Sequence, residues 1–580
     1  MPADMHNNPL PHDLLVEPGK LLPVSCRSLR ILENVMNSHA IMWRSTAVAL
    51  FVFLATASSL LASGTAVYNV RDYGATGRKS EDARAAIQKA IDACATAGGG
   101  MVYLPPGEYT SGTLNLRSHV RFHIEAGATL FASQNEKDFD KKPPNHSGLF
   151  YGEDLANVTI EGRGTVDGQA EYDWRLDDHE DVFTHKRKMI ELGKPLMRTF
   201  PKGFPQRQLY PFLVFLLRSK DVRITGLKFL HSPSWTICMY ATEQVVIDGI
   251  YAYTSLKEGV WADGIDLDGC RDVQISNSVI ETGDDCIIFI SSPVWGPALA
   301  CENITITNCR LSSASAAVKF SEGNWNVARR VTISNCVIEK SNRGFVFTVT
   351  QGGEIRDVVI SDIVMDLSRF DWFWAGDGEP FYFRITRASE WNQKPIDPKE
   401  PPPGKIHNVK ISNIIARARG SSPVYGHPES WLDGIGFENV KLFLATDSLA
   451  LYDTANDGMK FRWAKNLRIK DIEVVWEKPP LESWQSALVF EDLSGLTLDG
   501  FHGRGALPER GTPAVAFTNV SDAVLSNSRA QEGTNTFLKV SGMKSRGIVL
   551  SGNDLRVAKS VFKVESGVPQ DAVKVLNGLP

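Results

Sequence analysis

The phrase Val273-Gln274-Ile275-Ser276-Asn277 returns along this chain as Thr305-Ile306-Thr307-Asn308-Cys309, Thr332-Ile333-Ser334-Asn335-Cys336, Val359-Ile360-Ser361-Asp362-Ile363 and Lys410-Ile411-Ser412-Asn413-Ile414. The phrases open at Asn157, Asp221, Gln244, Asp272, Asn303, Arg330, Asp357, Asn408, Asp433, Asn466, Gly495, Asp522 and Gly547. Most steps between them are 23 to 33 residues, and two longer ones, 64 after Asn157 and 51 after Asp357, leave room for inserted loops. A period of this size marks a solenoid or a propeller, in which each unit buries its apolar face against its neighbours. Apolar and polar residues alternate within each phrase, with Val, Ile and Thr dominant, as in strands. The helical spacing i, i+3, i+4, i+7 is missing, leucines hold no fixed offset, and propeller blades would be longer. The expected fold is therefore all-β, a right-handed parallel β-helix. Asn should turn the corners, since it tolerates left-handed backbone, with ladders of Asn, Ile and Cys stacked inside the tube.

An open solenoid end presents unpaired strand edges. Ser80-Glu81-Asp82 followed by Ala83, Ala86, Ile87, Ala90 and Ile91 reads as an N-terminal capping helix with acids in its first turn. Gly98-Gly99-Gly100 ends it, and strands begin at Met101. One repeat domain is expected over residues 67–580. Ahead of it, Arg44 and the apolar run from Ala47 to Ala62, closed by Ser63-Gly64-Thr65-Ala66, read as a signal peptide over 42–66. The alternative is an N-terminal anchor. Secretion or a periplasmic location is the favoured reading, with no stable membrane span. Residues 1–41 then read as an extension ahead of a start at Met42 or Met36. A formal charge of −5 gives no basic footprint for nucleic acid. The eight cysteines form no CxxC pair, so a zinc site is not expected. Cys309 and Cys336 hold one phrase position on successive coils, as buried ladder residues would. A disulfide stays open, and a monomer is expected.

Two segments carry chemistry: Trp261-Ala262-Asp263-Gly264-Ile265-Asp266-Leu267-Asp268 and Thr282-Gly283-Asp284-Asp285-Cys286. Asp263 precedes Asp284 and Asp285 by about one coil, and paired strands lie roughly 4.8 Å apart. The three carboxylates should thus gather on one outer face, in an exposed groove. Like charges that close raise at least one pKa, leaving one acid and one base. That pairing is what glycosidic hydrolysis needs. In the competing reading, Asp-Gly pairs are turn residues, and Asp266 and Asp268 cap a corner between strands. Clustered Asp also suits calcium, although the site is read here without metal or cofactor.

These segments resemble glycoside hydrolase family 28, the polygalacturonase and rhamnogalacturonan-hydrolase family, whose members carry Asn-Thr-Asp-Gly and, one coil later, Gly-Asp-Asp-Cys. The second stands intact at Gly283–Cys286. The first survives as Ala262-Asp263-Gly264, with Trp261 in place of Asn. The likeness runs from Val67 to residue 365 and includes Tyr68-Asn69-Val70-Arg71-Asp72-Tyr73-Gly74-Ala75, Gly162-Arg163-Gly164-Thr165-Val166-Asp167-Gly168 and Ser232-Pro233-Ser234-Trp235. The resemblance implies a pectin-lyase-like solenoid. It also implies Asp284 (or Asp285) as the acid, with Asp263 and Asp285 activating water so that the anomeric carbon inverts. Two departures stand out: Ser315 replaces the histidine of Gly-His-Gly, and Val346-Phe347-Thr348 replaces Arg-Ile-Lys, the basic pair that holds a uronate carboxylate. In their place the next two coils offer Lys319, Glu322 and Arg343. Lys319 lies in an apolar strand, where a charge is costly unless paired or facing a cleft. A snorkelling surface lysine and an exposed turn arginine are the competing readings of Lys319 and Arg343.

The catalytic coils are placed at about 220–365, and the long steps put insertions at 169–210 and 367–407. The first contains Trp174, His179, His185, Arg207 and Tyr210. The second contains Trp372 and Trp374, one of which is expected to be a sugar platform. Two bulky walls favour a pocket closed at one end. His231, His407 and His427 show no ligand spacing and read as structural. The expected function is hydrolysis of pectic or related acidic polysaccharides or oligosaccharides by aspartates. A polysaccharide lyase of the same fold and a non-catalytic carbohydrate-binding β-helix are the rivals. A lyase needs a basic residue, and neither aspartate segment contains one.

Overall fold

The computed structural model describes residues 66–142, 146–170, 211–256, 259, 261–370, 376–392, 394–446, 456–478 and 481–576, apart from the Glu322 side chain. They belong to one compact unit, Ala66–Pro580. Strands one coil apart pair in parallel, as the repeat requires. Val245 lies beside Val273, Val273 beside Ile304, Ile304 beside Val331 and Val331 beside Val358. The two long steps do not interrupt this ladder. Val158 pairs directly with Val222, and Val358 with Val409, so the ladder keeps its register across both steps. The expected insertion 367–407 is not all loop, because Glu379–Ile385 within it is a strand of the tube. The fold is a right-handed parallel β-helix.

Corners explain why the phrase is so regular. Its opening residues Asn157, Asp221, Gln244, Asp272, Asn303, Arg330, Asp357, Asn408, Asn466 and Asp522 all hold φ between 52° and 59°. Its closing residues Asn277, Asn308, Asn335, Asp362 and Asn413 are left-handed as well. Each phrase is therefore a strand bracketed by two left-handed corners, a conformation that Asn and Asp tolerate best. The expected Asn ladder exists but runs on the outside. Asn308 donates to Asn277 at 3.3 Å, Asn413 to Asp362 at 3.0 Å and Asn439 to Asn413 at 3.0 Å, all exposed. An amide has more donors and acceptors than a ladder can satisfy, so burial would strand some of them. Ile and Cys fill the tube instead: Ile306, Ile333, Cys309 and Cys336 are buried. The seven described cysteines are free thiols.

The capping helix, α1 (Arg84–Thr96), buries Ala86, Ile87, Ala90, Ile91 and Cys94. It begins later than expected. Asp82 lies before the helix and accepts from the Arg84 N–H at 2.9 Å, and the first turn holds no acid.

Eight strands build the sheet that carries the candidate site: β1 (Gly148–Glu153), β2 (Phe212–Leu217), β3 (Ile237–Tyr240), β4 (Ile265–Asp268), β5 (Ile287–Ser291), β6 (Val318–Asn324), β7 (Arg343–Val349) and β8 (Glu379–Ile385). They pair in this order. On the inner face Phe289, Phe320, Phe347 and Phe383 stack with centroid separations of 4.7, 4.6 and 4.1 Å. Each ring buries a large apolar area. This column fixes which residues of β5–β8 point inwards, and so which point out.

Candidate active site

The outward positions of the sheet form rungs along the tube axis. The Thr236 N–H donates to the Asp263 carbonyl and the Gly264 N–H to the Asp285 carbonyl. The ladder continues through Cys286 to Ala316 and through Ala317 to Arg343. Trp235, Asp263, Asp285, Ala316, Arg343 and Glu379 therefore occupy equivalent positions on successive coils. Asp284 shares its register with Ser315 and Asn342.

The predicted triad is brought together. One carboxylate oxygen each of Asp263, Asp284 and Asp285 lies within 4.8 Å of the others. The Asp285 backbone N–H donates to both neighbours, to Asp284 Oδ1 at 3.0 Å and Asp263 Oδ1 at 3.2 Å. Hidden hydroxyls hold the turns. Thr282 and Ser313 both donate to the Asp284 main-chain carbonyl, at 2.9 and 2.6 Å, and Thr254 donates to that of Ala262 at 3.1 Å. The expected exposed groove is corrected, however: Asp263, Asp284 and Asp285 are only 4, 5 and 1% exposed.

That burial sets the electrostatics. Desolvation first, then the Asp284, Asp266 and Asp285 carboxylates, push Asp263 well above the usual carboxylate range, while Lys319 pulls it down. Lys319 Nζ lies 3.0 Å from Asp285 Oδ2, with side chains 12 and 2% exposed. It is therefore no snorkelling surface lysine, and it supplies the cluster's counter-charge. The basic partner missing from the aspartate segments arrives from the next coil. Arg343, which opens β7, is no exposed turn residue either. Its guanidinium lies over Tyr382 at 5.3 Å, its Nε lies 3.6 Å from Glu379, and only 12% of its side chain is exposed. Burial pushes Glu379 up although Arg343 pulls it down. The three aspartates are also close enough to share one cation. Trp372, Trp374, Trp174, His179, His185, Arg207, Tyr210 and the Glu322 side chain lie outside the described residues.

Sequence reasoning passed over two residues. Asp266 and Asp268 cap no corner. They face outwards from β4, between Ile265 and Leu267 of the core. The alternation Ile265-Asp266-Leu267-Asp268 was the available signal. Both Asp266 oxygens are buried without a hydrogen-bond partner. Burial and the Asp284 and Asp285 carboxylates push its carboxyl well up, so a fourth acid borders the triad in neutral form. Asp268 accepts from the Ser292 hydroxyl at 2.5 Å and the Ser292 N–H at 2.9 Å, yet burial still lifts it to about 6. A raised folded-state pKa means that Asp268 stabilises the fold fully below its unfolded value of 3.8, and the stabilisation is lost as pH rises through about 6. Asp268→Asn is therefore expected to match the wild type near pH 4 and to exceed its stability by about 3 kcal/mol at neutral pH. Melting curves of both proteins across that range check it.

Trp261 is informative for its backbone. It holds φ 58°, a left-handed conformation that a bulky side chain rarely adopts, at the position where the resemblance has Asn. A bulky residue held there costs about 1–3 kcal/mol of backbone strain.

Comparisons with known proteins converge on this region. Residues 201–369 match the family model of glycosyl hydrolases family 28, and residues 67–170 match a model described as rhamnogalacturonase A/epimerase, pectate lyase-like. A probable polygalacturonase of Vitis vinifera is 26% identical over 233 residues, covering 37% of this chain and 42% of that protein. The chain thus spans less than half the length of that relative. A family 28 exopolygalacturonase of Yersinia enterocolitica superposes with a TM-score of 0.59 at 19% identity, over 75% of this chain and 79% of that one. An exopolygalacturonase of Thermotoga maritima gives 0.53 at 19%, over 72% and 93%. At that identity the likeness establishes the fold.

Proposed function

We propose that the chain, whose residues 201–369 match the model of glycosyl hydrolases family 28, hydrolyses glycosidic bonds in pectic or related acidic polysaccharides or oligosaccharides through its aspartate cluster. The observation that carries this reading is the convergence of Asp263, Asp284 and Asp285 within 4.8 Å, with Lys319 as the compensating charge. Three carboxylates facing one ammonium retain at least one proton, so acid and base coexist in the site. By the family resemblance, Asp284 gives a proton to the leaving oxygen, while Asp263 and Asp285 orient and deprotonate the attacking water, inverting the anomeric carbon. Burial and the neighbouring carboxylates favour the protonated form of Asp263, and the Asp285 N–H bridges the Asp263 and Asp284 carboxylates. Arg343 and Lys319 lie on the flank of the cluster where an acidic sugar needs cations. The work is placed outside the cytosol, a reading supported by the apolar run at 47–62 and by the polymeric substrate class.

A lyase is the second reading, favoured by Lys319 beside the acids and by a cluster able to accept calcium. The two differ in product. On pectic glycans the purified protein is expected to release reducing ends without ultraviolet-absorbing unsaturated ends, at a rate unchanged by a chelator. Unsaturated products, or loss of activity restored by calcium, would point to elimination. If no glycan in the series is cleaved, the hydrolytic reading fails.

A further inference from the structure

Cys309 and Cys336 take no part in the chemistry proposed above, but the fold sets them side by side. Thr307 pairs with Ser334 and Arg310 with Val337, so the register places Cys309 directly against Cys336 on the next coil. Backbone bonds clamp the two coils on both flanks of the pair. The Asn308 N–H donates to the Ser334 carbonyl at 3.3 Å, and the Val337 N–H to the Cys309 carbonyl at 3.0 Å. The corners that precede them match as well, with φ 56° at Asn308 and 54° at Asn335, and both side chains are buried in the tube. Each thiol rests on the carbonyl two residues before it, 3.3 Å from that of Thr307 and 3.1 Å from that of Ser334. The two sulfurs also hydrogen-bond to each other, a contact that holds the Cys309 thiol below the usual range and pushes Cys336 up. Other cysteines are placed differently. Arg271 pairs with Glu302, which brings Cys270 beside Cys301. There, however, the Cys270 thiol turns to the Met239 carbonyl at 3.3 Å and the Cys301 thiol to those of Leu267 and Ile290, both at 3.1 Å. Cys238 lies beside Asp266.

Paired parallel strands lie roughly 4.8 Å apart, inside the span of about 4.4–6.8 Å between Cα atoms that a disulfide bridges. Drawing the Cβ atoms in to bonding distance takes a shift of about 1 Å. The coil between the two sulfurs carries Lys319, the counter-charge of Asp285. We propose that Cys309 and Cys336 are a disulfide-forming pair, and that under oxidising conditions their bridge staples the coil that bears Lys319. The oxidant is a low-molecular-weight disulfide. The Cys309 thiolate attacks one sulfur of it and expels the other as a thiolate; the Cys336 thiolate then attacks the Cys309 sulfur and expels the second. Two cysteines are oxidised, one disulfide is reduced to two thiols, and the two cysteine protons end on those thiols. Because both sulfurs are buried, the exchange takes place while the coils close or when they open locally. The bridge stands independently of the hydrolytic reading.

In the test the reduced full chain is incubated with oxidised glutathione in mild urea, its thiols are counted after denaturation, and its peptides are mapped without reduction. The count is expected to fall by two, with a single linked pair of peptides that contain Cys309 and Cys336. A dithiol reductant should reverse both results. The bridged protein should melt about 3–6 °C above its reduced form, because the closed coil restricts the unfolded chain. Cys336→Ala should abolish the loss of thiols, and Cys301→Ala should leave it intact. An unchanged thiol count, a bridge between any other cysteines, or a melting temperature indifferent to reduction overturns the proposal. The peptide map is read on the wild type, so a variant that fails to fold does not decide the outcome.

Discussion

Asp284→Asn is expected to reduce kcat on a cleavable pectic substrate by about 10²–10⁴-fold, the contribution of a positioned general acid. The substitution keeps size and shape. The Thr282 and Ser313 hydroxyls grip the main-chain carbonyl of residue 284, not its side chain, so the turn should persist. Removing one of several crowded carboxylates also relieves repulsion, so thermal stability should hold or rise. Substrate binding should change by only a few-fold, because an amide still fills the carboxyl's place. Reducing-end kinetics with a parallel binding isotherm separates these effects. A variant that cleaves as fast as the wild type would remove Asp284 from the chemistry and favour a protein that only binds glycans.

Lys319→Met should show an equally large effect of a different kind. Lys319 and Asp285 form a buried pair at 3.0 Å, and removing one partner of such a pair leaves an uncompensated charge, costing about 3–5 kcal/mol of stability. The same ammonium holds Asp263 down against burial and three neighbouring carboxylates. Without it Asp263 rises further, so the pH at which the site gains its ionised base moves up. The acid limb of kcat/KM against pH should therefore shift to higher pH. Lys319→Arg, which keeps the charge, should restore most of the stability. A Lys319→Met protein with unchanged melting temperature and unchanged acid limb would mean that the pair is incidental.

The sequence alone went far with this chain because a solenoid writes its geometry in a repeat. Val, Ile and Thr at alternate positions, closed by Asn or Asp, specify a strand between two left-handed corners. Asp263 one period before Asp284 and Asp285 therefore had to become a neighbour of both. The same logic located Lys319 and Arg343, one and two coils further along. It failed where one-dimensional spacing carries no information about what covers a face. Asn at a corner was expected inside the tube, but the left-handed turn aims its amide at solvent. The competing corner reading of Asp266 fails, because its apolar neighbours on both sides mark a strand.

What the amino-acid order settled was the period, hence the parallel coils and the meeting of three acids. Burial and counter-charge were decided in three dimensions. The hydroxyl of Ser313 and the ammonium of Lys319 reach the site from the next coil. A local pattern fixes which side of a strand a residue faces, whereas desolvation and field depend on everything that comes to rest beside it.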